Sequence, residues 1–520
     1  MLLVLVCIFT LIIVYWGLGV TSFILSSYFL GCFWAFSVVS LVVDDLSLIF
    51  MFMLGWCGFV ALFYCYHYFN GVNYVLVSLI GCFLFVMLVL SLSGTLLFSL
   101  IMWEYLGFVS FLLIMFYSNM ASLRASLVTL FVSRLGDVSL FVLVSWSYYY
   151  WDLTLWLVVF FLLSVLFTKS ACYPFISWLV EAMRAPTPVS SLVHSSTLVA
   201  AGVWFLFRYN NLFGFEACFF IVLICLVTIL ISGVCASVFI DLKSIVALST
   251  CSNISWCILF FIYGDFILSL FQLLVHGLCK CFLFMSVGDV MLGSLGSQSS
   301  KFVYLGRYWN YFGVLSRFVL VFSLCGVPFL GVFFTKHSLF SLIFYSCGLG
   351  SFFLLVVCLC LTYVYSFRFY LLLLSSTGGM ISGSYSSFVW VGGLSLLPTI
   401  VSVTGYLFFS EVCSVTLDES LMVLFFEVFS CLFGYMLWWL NVNNVWFSLL
   451  CGGNYFVNSF YSWLGFMKSY SFIGVYRLEV VLFSFLRDNL FRFYVGDFFS
   501  FSFMVVSFLY LVFFCLIIVL

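Results

Sequence analysis

A small set of ionisable side chains lies inside long apolar runs of this sequence. The set contains two carboxylates, three lysines and three histidines: Glu104, Asp137, Lys169, His194, His276, Lys280, Lys336 and His337. A charge at the centre of a membrane span costs about 2.5–3.5 kcal/mol on insertion scales, so it persists where it faces a polar interior and has a partner. Burial disfavours a charged lysine, a nearby carboxylate favours it, and histidine titrates near neutral pH. A row of such groups predicts a lateral path for protons.

The spacing along the chain groups these residues. Arg134 and Asp137 stand three apart, which places both side chains on one face of a helix. Either Glu104 or Asp137, if close to Lys169, would form a buried ion pair with it. A second polar stripe repeats at steps of four along one predicted helix: Gln272, His276 and Lys280.

Two prolines interrupt predicted spans close to a lysine. Pro174 follows Lys169 by five residues, and Pro328 precedes Lys336 by eight. A proline in a helix interior removes a backbone hydrogen bond and costs about 3 kcal/mol. Broken helices in both halves of a chain are typical of transporters built from inverted repeats. A proline can also kink a helix for packing alone, but both lysines follow a threonine in the pair "TK", which favours a functional site.

Other charged residues have simpler interpretations. His67, close to a predicted loop, is interpreted as structural. Four charges near the ends of predicted spans could anchor those ends or snorkel to the interface: Arg124, Arg208, Asp241 and Lys243.

The composition defines the elements that must position these residues. The chain has 520 residues, of which 67% are hydrophobic and 6% charged, whereas soluble domains carry about 25% charged residues. A helix needs about 20 apolar residues to cross a bilayer, and continuous apolar runs of that length exclude a β-barrel. The sequence therefore predicts an all-α polytopic membrane protein with roughly 14–16 transmembrane helices. We expect two inverted repeats, each with a proline-broken helix, and a C-terminal amphipathic lateral helix.

Apolar runs and charge density divide the chain. Among the predicted spans are 1–21, 24–43, 312–335 and 340–372. Seven charges between Lys468 and Asp497 predict a helix lying along a surface. The expected divisions are N-terminal helices in 1–95, a first half-channel in 96–210, a second in 211–340, additional helices in 341–440, the lateral helix region in 441–498 and a C-terminal anchor in 499–520.

Composition also excludes several functions. The net charge of −1 leaves no basic surface for nucleic acid. No dinucleotide or phosphate-binding glycine motif is present. The 21 cysteines contain no C-x-x-C pair, so neither a disulfide framework nor a metal site is expected.

Several segments resemble a known family. The run "KSACYPFISWLVEAMRAPTPVSSLVHSSTLVAAG" is similar to the signature of the antiporter-like, proton-translocating subunits of respiratory complex I. Within about residues 40 to 340, further segments match in the same order: "MWEYLGFVSFLLI", "DLKSIVALSTCSNISW", "VHGLCKCFLF" and "GVPFLGVFFTK". The segment "VDDLSLIFMFM" and the charged C-terminal region resemble the chain 5 group of NADH:ubiquinone oxidoreductase more than its paralogues, chains 4 and 2.

The resemblance implies a role for each matched residue. Glu104 would pair with Lys169 in the first half-channel, and Asp137 would be a further acidic position near that pair. Protons would then pass along the remaining groups: His194, His276, Lys280, Lys336 and His337. Two positions depart from the family pattern. Gln272 stands where many members have a histidine, and His337 stands where many have an acidic residue. The last proton transfer of the path would therefore either follow a different route or use His337 with water.

The resemblance also implies a cellular setting. The chain would be a subunit of a translocase, the proton-translocating NADH:ubiquinone reductase of the mitochondrial inner membrane. This chain would hold no cofactor, and FMN, iron–sulfur clusters and ubiquinone would belong to partner subunits. Expected partners are other membrane-arm subunits, especially chains 4 and 2, and lipids including cardiolipin, with no nucleic acid.

Three other functions remain open on the sequence alone. A cation/proton antiporter subunit of the same ancestry (Mrp type) would use Lys169 and Glu104 for sodium–proton exchange. A haem-binding redox enzyme is disfavoured because the four histidines fall one per predicted span. A purely structural anchor predicts that neutral replacements at Glu104 and Lys169 affect assembly but not coupling.

Overall fold

The computed structural model is helical almost throughout. It describes residues 23–28, 38–71, 73–149, 155–263, 266–294, 296–300, 311–328, 330–346, 349–374, 388–408, 417–440, 462–463 and 465–466. The α-helices are α1 Asp45–Tyr68, α2 Tyr74–Leu92, α3 Leu96–Ile114, α4 Met120–Tyr149, α5 Leu155–Ser170, α6 Ser177–Ala182, α7 Thr187–Leu192, α8 Leu198–Arg208, α9 Phe215–Ala236, α10 Leu242–Ile262, α11 Phe266–Gly293, α12 Tyr311–Cys325, α13 Phe333–Ser346, α14 Leu349–Leu374, α15 Val389–Leu394, α16 Leu397–Phe408 and α17 Leu417–Trp439.

The predicted fold class, an all-α polytopic membrane protein, is confirmed. Within the described residues, ten helical segments are long and apolar enough to cross a membrane, and three shorter apolar helices accompany them. The predicted spans at 1–21 and 499–520 and nearly all of the lateral helix region 441–498 lie outside the described residues. The chain forms two compact units, Met1–Tyr455, which contains every helix named above, and Phe456–Leu520. The inverted relation between two repeats stays a prediction.

The predicted span at 24–43 is wrong in its described residues. Strands β1 (Phe23–Tyr28) and β2 (Val38–Val43) pair antiparallel. Four of the six residues of β2 are valine, and β-branched side chains favour strands over helices. The backbone N–H of Gly94 donates to the Ser40 carbonyl at 2.9 Å, so β2 is also tied to the turn that precedes α3. Hydropathy alone does not distinguish such a hairpin from a span.

The first proline-associated break separates α5 from α6. Helix α5 ends at Ser170, and the backbone leaves helical geometry at Ala171, which has a positive φ of 55°. After α6, helices α7 and α8 are joined by a five-residue π-helical turn, Val193–Thr197. Such π-helical turns are rare and often occur at functional sites.

The second break lies between α12 and α13. The spans predicted at 312–335 and 340–372 correspond to three helices, α12, α13 and α14, and the chain is not helical at 326–328 and 330–332. Gly326 and Gly331 both have positive φ, 87° and 51°, a conformation that costs other residues about 1–2 kcal/mol. With Pro328 between them, these two glycines explain why the helix cannot continue.

Burial divides the helices into a central and an outer group. Residues 187–207 are all buried, and α10 and α11 are buried along most of their length. Helix α17 is mostly exposed, α2 and α9 are less than half buried, and all three have large apolar side chains on the outside. The polar stripe is therefore on the central helices, while the outer helices present an apolar surface suited to lipid or to neighbouring membrane subunits.

Candidate functional site

The first part of the site is a chain of four charges on three helices. Glu104 on α3 pairs with Arg134 on α4. The guanidinium of Arg134 also lies 3.6 Å from Asp137 Oδ2, and Asp137 Oδ1 lies 3.7 Å from the Lys169 ammonium on α5. The outer pair is partly exposed, with Glu104 at 25% and Arg134 at 41%, whereas the Asp137 and Lys169 side chains are only 2% and 1% exposed. Opposite charges alternate from the edge of the protein to its interior.

Two features besides Asp137 stabilise the positive charge of the Lys169 ammonium, an aromatic ring and a helix dipole. It lies 5.3 Å from the ring centroid of Trp103, within cation–π range. Lys169 is in the last turn of α5, where the helix dipole favours a positive charge. Gly202 on α8 permits this arrangement, because a Cβ there would lie 2.8 Å from the backbone nitrogen of Ser170.

His194 lies in the π-helical turn and is completely buried. Its ring centroid is 6.2 Å from that of Trp178 on α6. The hydroxyl of Thr197 donates to the Leu192 carbonyl at 2.9 Å, so side chains of the turn satisfy carbonyls that the wider turn leaves unpaired.

The central part of the site is the polar stripe of α11. Gln272, His276 and Lys280 are all buried, as the step of four predicted. Lys280 donates to the Val246 carbonyl of α10 at 3.1 Å and to the hydroxyl of Ser249. These contacts fix the ammonium of Lys280 against α10 through a carbonyl and a hydroxyl.

Lys336 occupies the second break. Its ammonium donates to the Cys325 carbonyl at 2.7 Å and to the Leu324 carbonyl at 3.4 Å. These carbonyls belong to the last turn of α12, where unpaired acceptors and the helix dipole favour a cation. Both lysines therefore place a cation near the C-terminal end of a helix: Lys169 is in the last turn of α5, and Lys336 reaches the end of α12 from the first turn of α13.

Gln272 connects the central stripe to the second break. The hydroxyl of Thr335, beside Lys336, donates to Gln272 Oε1 at 2.6 Å. A cavity of about 20 Å³ lies between the two lysines, lined by Lys280 and by Cys325 and Thr362, which both contact Lys336. A volume of that size accommodates a single water molecule if polar groups surround it.

The structure changes one expected pairing and places an unexpected carboxylate near His337. The resemblance implied Glu104 as the partner of Lys169, but Glu104 contacts Arg134, and Asp137 is the carboxylate within 4 Å of Lys169. Arg134 intervenes because it is one helical turn from Asp137 and reaches both acids. His337, where the family pattern has an acid, lies 3.9 Å from a carboxylate of another helix, Glu427 Oε1 on α17.

Several buried charged residues were missed or interpreted as peripheral, among them Glu427, Lys243 and Asp289. Glu427 stands alone in the apolar run "LMVLFFEVFSCLF", the same signal that identified Glu104. Lys243 does not snorkel, because it is 5% exposed and donates to the Ala185 carbonyl at 3.0 Å. Asp289 accepts from the backbone N–H of Phe388 at 2.8 Å, which holds the start of α15 against α11.

The arrangement supports proton transfer between side chains. Lysines and carboxylates that share a low-dielectric interior change protonation when a neighbouring charge moves. Among the described residues, no group of three or more His, Cys, Asp or Glu side chains could hold a metal ion.

The fold and the site define an antiporter-like membrane subunit. The family model described as "NADH:quinone oxidoreductase/Mrp antiporter, TM" matches residues 93–364, which include all the predicted site residues. This chain belongs to that family, and within it to the NADH-ubiquinone oxidoreductase chain 5 type.

The curated relatives named NADH-ubiquinone oxidoreductase chain 5 include proteins of a mosquito and a honeybee. The protein of Anopheles quadrimaculatus is 30% identical over 499 residues, covering 87% of this chain and 84% of the relative. The protein of Apis mellifera ligustica is 37% identical over 271 residues, covering 50% of this chain and 48% of the relative. This chain thus spans about half the length of the Apis relative in that match.

Two solved structures share the fold. The Mrp complex from Dietzia sp. DQ12-45-1b matches with a TM-score of 0.72 at 20% identity, over 89% of this chain and 56% of that one. An archaeal respiratory complex, the membrane-bound sulfane sulfur reductase, matches with a TM-score of 0.61 at 17% identity, over 79% of this chain and 87% of that one.

Proposed function

We propose that this chain is a proton-translocating membrane-arm subunit of an NADH:ubiquinone oxidoreductase. The observation that carries the proposal is the pair of buried lysines at helix interruptions, together with the polar stripe of α11. Lys169 is in the last turn of α5, and Lys336, in the first turn of α13, places its ammonium on the last carbonyls of α12. Chain 5 relatives support this assignment, and the proposal places the oxidation of NADH in partner subunits of the assembly.

Arg134 is the residue whose movement can start a proton transfer. It contacts both Glu104 and Asp137, so a small rotation of its side chain changes which acid it neutralises. With Arg134 on Glu104, Asp137 is free to stabilise a charged Lys169. With Arg134 on Asp137, Lys169 loses its counter-charge and releases a proton. This exchange requires movement of only one half-exposed side chain.

The released proton then moves along the buried row. His194, His276 and Lys280 are its successive carriers, and the water-sized cavity between Lys280 and the surroundings of Lys336 bridges the last interval. We assign residues 96–210 to the first half-channel and 211–340 to the second. All eight residues predicted from the sequence keep a place in this path, with His337 at its end.

The wider setting follows from the relatives. They are chain 5 subunits of animals, so we place this multi-pass protein in the mitochondrial inner membrane. Oxidation of NADH and reduction of ubiquinone take place in partner subunits that hold FMN and iron–sulfur clusters. The neighbouring membrane-arm subunits are chains 4 and 2, and the exposed apolar helices contact them or lipids such as cardiolipin.

Replacement of Lys169 tests the proposal. In sealed membrane vesicles that contain the assembled complex, Lys169→Met removes the proton-binding group and keeps most of the side-chain volume. We expect proton uptake driven by NADH to fall about a hundredfold, the scale on which one positioned acid or base acts. The control Asp45→Asn changes an exposed carboxylate at the start of α1 and leaves proton uptake unchanged. Unaltered pumping by the Lys169 variant refutes the proposal.

The second candidate is a sodium–proton antiporter. The structural match to the Mrp complex favours it at the level of fold. Proton movement that depends on sodium and continues without quinone reduction supports this candidate, whereas proton movement that stops with a quinone-site inhibitor supports the oxidoreductase subunit.

A further inference from the structure

Glu427 is a buried carboxylate that the path described above does not use. It is on the inner face of α17, 7% exposed, although most of that helix is exposed. Its position is fixed by close packing on α14, since a Cβ at Gly434 would lie 2.7 Å from the Val364 carbonyl oxygen. Glu427 lines a cleft of about 430 Å³ together with Tyr363 and Cys431.

Tyr363 links Glu427 to the second break. Its hydroxyl oxygen lies 2.6 Å from Glu427 Oε1 and 3.0 Å from the carbonyl oxygen of Gly326. One hydroxyl carries one proton, so Tyr363 cannot donate fully to both acceptors. If Glu427 is ionised, Tyr363 donates to the carboxylate. If Glu427 is protonated, its acid O–H donates to Tyr363, and Tyr363 donates to Gly326, so both contacts become complete hydrogen bonds.

The same helix end holds Lys336. The lysine donates to the carbonyls of Leu324 and Cys325, and Tyr363 reaches the next carbonyl, that of Gly326. The Lys336 ammonium also lies 5.6 Å from the centroid of the Tyr363 ring. Lys336 and Tyr363 therefore bind the carbonyl oxygens of three consecutive residues, 324–326. A change of charge at Lys336 alters the hydrogen bonds of Tyr363, and a change of charge at Glu427, which contacts Tyr363, alters those of Lys336.

Other titratable groups face Glu427 from each packed element. His337 on α13 has Nε2 3.9 Å from Glu427 Oε1 and forms no hydrogen bond through that nitrogen with any described residue. Cys325 on α12 donates to the Ser366 hydroxyl at 2.5 Å, and Cys431 lies one turn along α17 from Glu427. Of these groups, Lys336 and His337 are the bases that can exchange a proton with a carboxylate.

Resting on the proposed function, we propose that Glu427 is the proton-exchanging carboxylate of the second half-channel, supplied by α17 in place of an acid at position 337. A proton that leaves the Lys336 ammonium reaches Glu427, which converts a charged lysine and a carboxylate into a neutral amine and a neutral acid. Loss of that proton to water restores the carboxylate, and Lys336 is recharged from the Lys280 side. Tyr363 transmits each change to the carbonyl of Gly326.

The test uses Glu427→Gln in the assembled complex in sealed vesicles. Glutamine keeps the shape, and its amide N–H donates to Tyr363 as the acid would, but it cannot release a proton. We expect unchanged assembly, proton uptake per NADH lowered about tenfold, and loss of a carboxylic acid C=O band from the infrared difference spectrum recorded on adding NADH. Normal pumping with an unchanged spectrum overturns the inference.

Two further variants separate the possible failures. Tyr363→Phe keeps Glu427 and removes its hydrogen bond, so the carboxylic acid band should shift; if Glu427→Gln does not assemble, an unshifted band in Tyr363→Phe overturns the inference instead. Lys336→Met tests the proposed function in parallel. Loss of pumping in Lys336→Met alone rejects the role of Glu427, whereas normal pumping in both Lys336→Met and Glu427→Gln rejects the proposed function itself.

Discussion

Gln272 shows how one uncharged residue supports a row of charged ones. It is completely buried on α11, and its amide oxygen accepts from the hydroxyl of Thr335 at 2.6 Å. The bond joins the central stripe to the residue that precedes Lys336. A buried acceptor that loses its donor costs about 1–3 kcal/mol. Gln272 therefore holds Thr335 in place, at a position where the family pattern often has a titratable histidine.

Thr335→Val tests this contact at the residue scale. The substitution keeps the β-branched shape and removes the donor, so we expect the assembled complex to lose about 1–3 kcal/mol of stability. The measurement is the temperature at which the complex disappears from a native gel. Thr335→Ser restores the hydroxyl and should recover most of the loss. Equal melting of the valine variant and the unmodified chain would contradict a supporting role for Gln272.

The sequence was most informative about the charged residues. Lys169, Lys280 and Lys336 are each nearly or completely buried, as charges inside apolar runs predicted. Their partners were less accessible to sequence reasoning. Arg134 pairs with Glu104 because α3 and α4 pack side by side. Glu427, the carboxylate near His337, lies on α17, which begins 80 residues further along the chain. Such pairings depend on tertiary packing, which no local spacing encodes.

At the scale of elements, the second break depends on Gly331. Its φ of 51° is left-handed, and a Cβ there would lie 2.7 Å from the carbonyl carbon of Ser323. We expect Gly331→Ala to cost about 1–3 kcal/mol through the backbone conformation alone, with the steric contact in addition. Displacement of α13 would move Lys336 from the carbonyls of α12, so assembly and proton pumping should fall together.

Gly293→Ala is the matched control for that prediction. Gly293 ends α11, and a Cβ there would meet no atom within 4 Å. Quantitative native gels of both variants, with NADH-driven proton uptake in vesicles, make the comparison. A Gly331 variant that assembles and pumps like the Gly293 variant would exclude a structural requirement for the left-handed turn.

The helices were predictable for a physical reason. In lipid, backbone groups must be satisfied within the segment, so a long apolar run has few alternatives to a helix. The exceptions to the predicted helices are segments whose residue types favour another backbone conformation. Valine-rich β2 pairs with β1 in a hairpin, and two glycines with positive φ end α12. Apolar residues continue through both regions, so hydropathy gave a helix where the backbone has another conformation.

At the scale of the whole molecule, burial places the charged row away from the outer surface. The central segment 187–208, α10 and α11 carry His194, Lys280 and their neighbours, while the outer helix α17 exposes Phe425, Phe429 and other large apolar side chains. A charge path enclosed in this way has its polar lining inside and an apolar exterior, which suits a subunit embedded among lipids and other membrane subunits.

The assembly is the prediction that decides between the two candidate functions. We expect this chain to migrate in the very large, NADH-oxidising band when detergent-solubilised membranes are separated on a native gel and the bands are analysed by mass spectrometry. Under the proposed function, this chain supplies the proton path, and partner subunits in the same band supply the flavin and iron–sulfur groups that oxidise NADH. Migration in a smaller band without flavin or iron–sulfur absorbance would contradict the oxidoreductase assignment. Sodium-dependent proton flux from that smaller complex would then identify an antiporter, with Lys169 and Asp137 as the ion pair to be tested first.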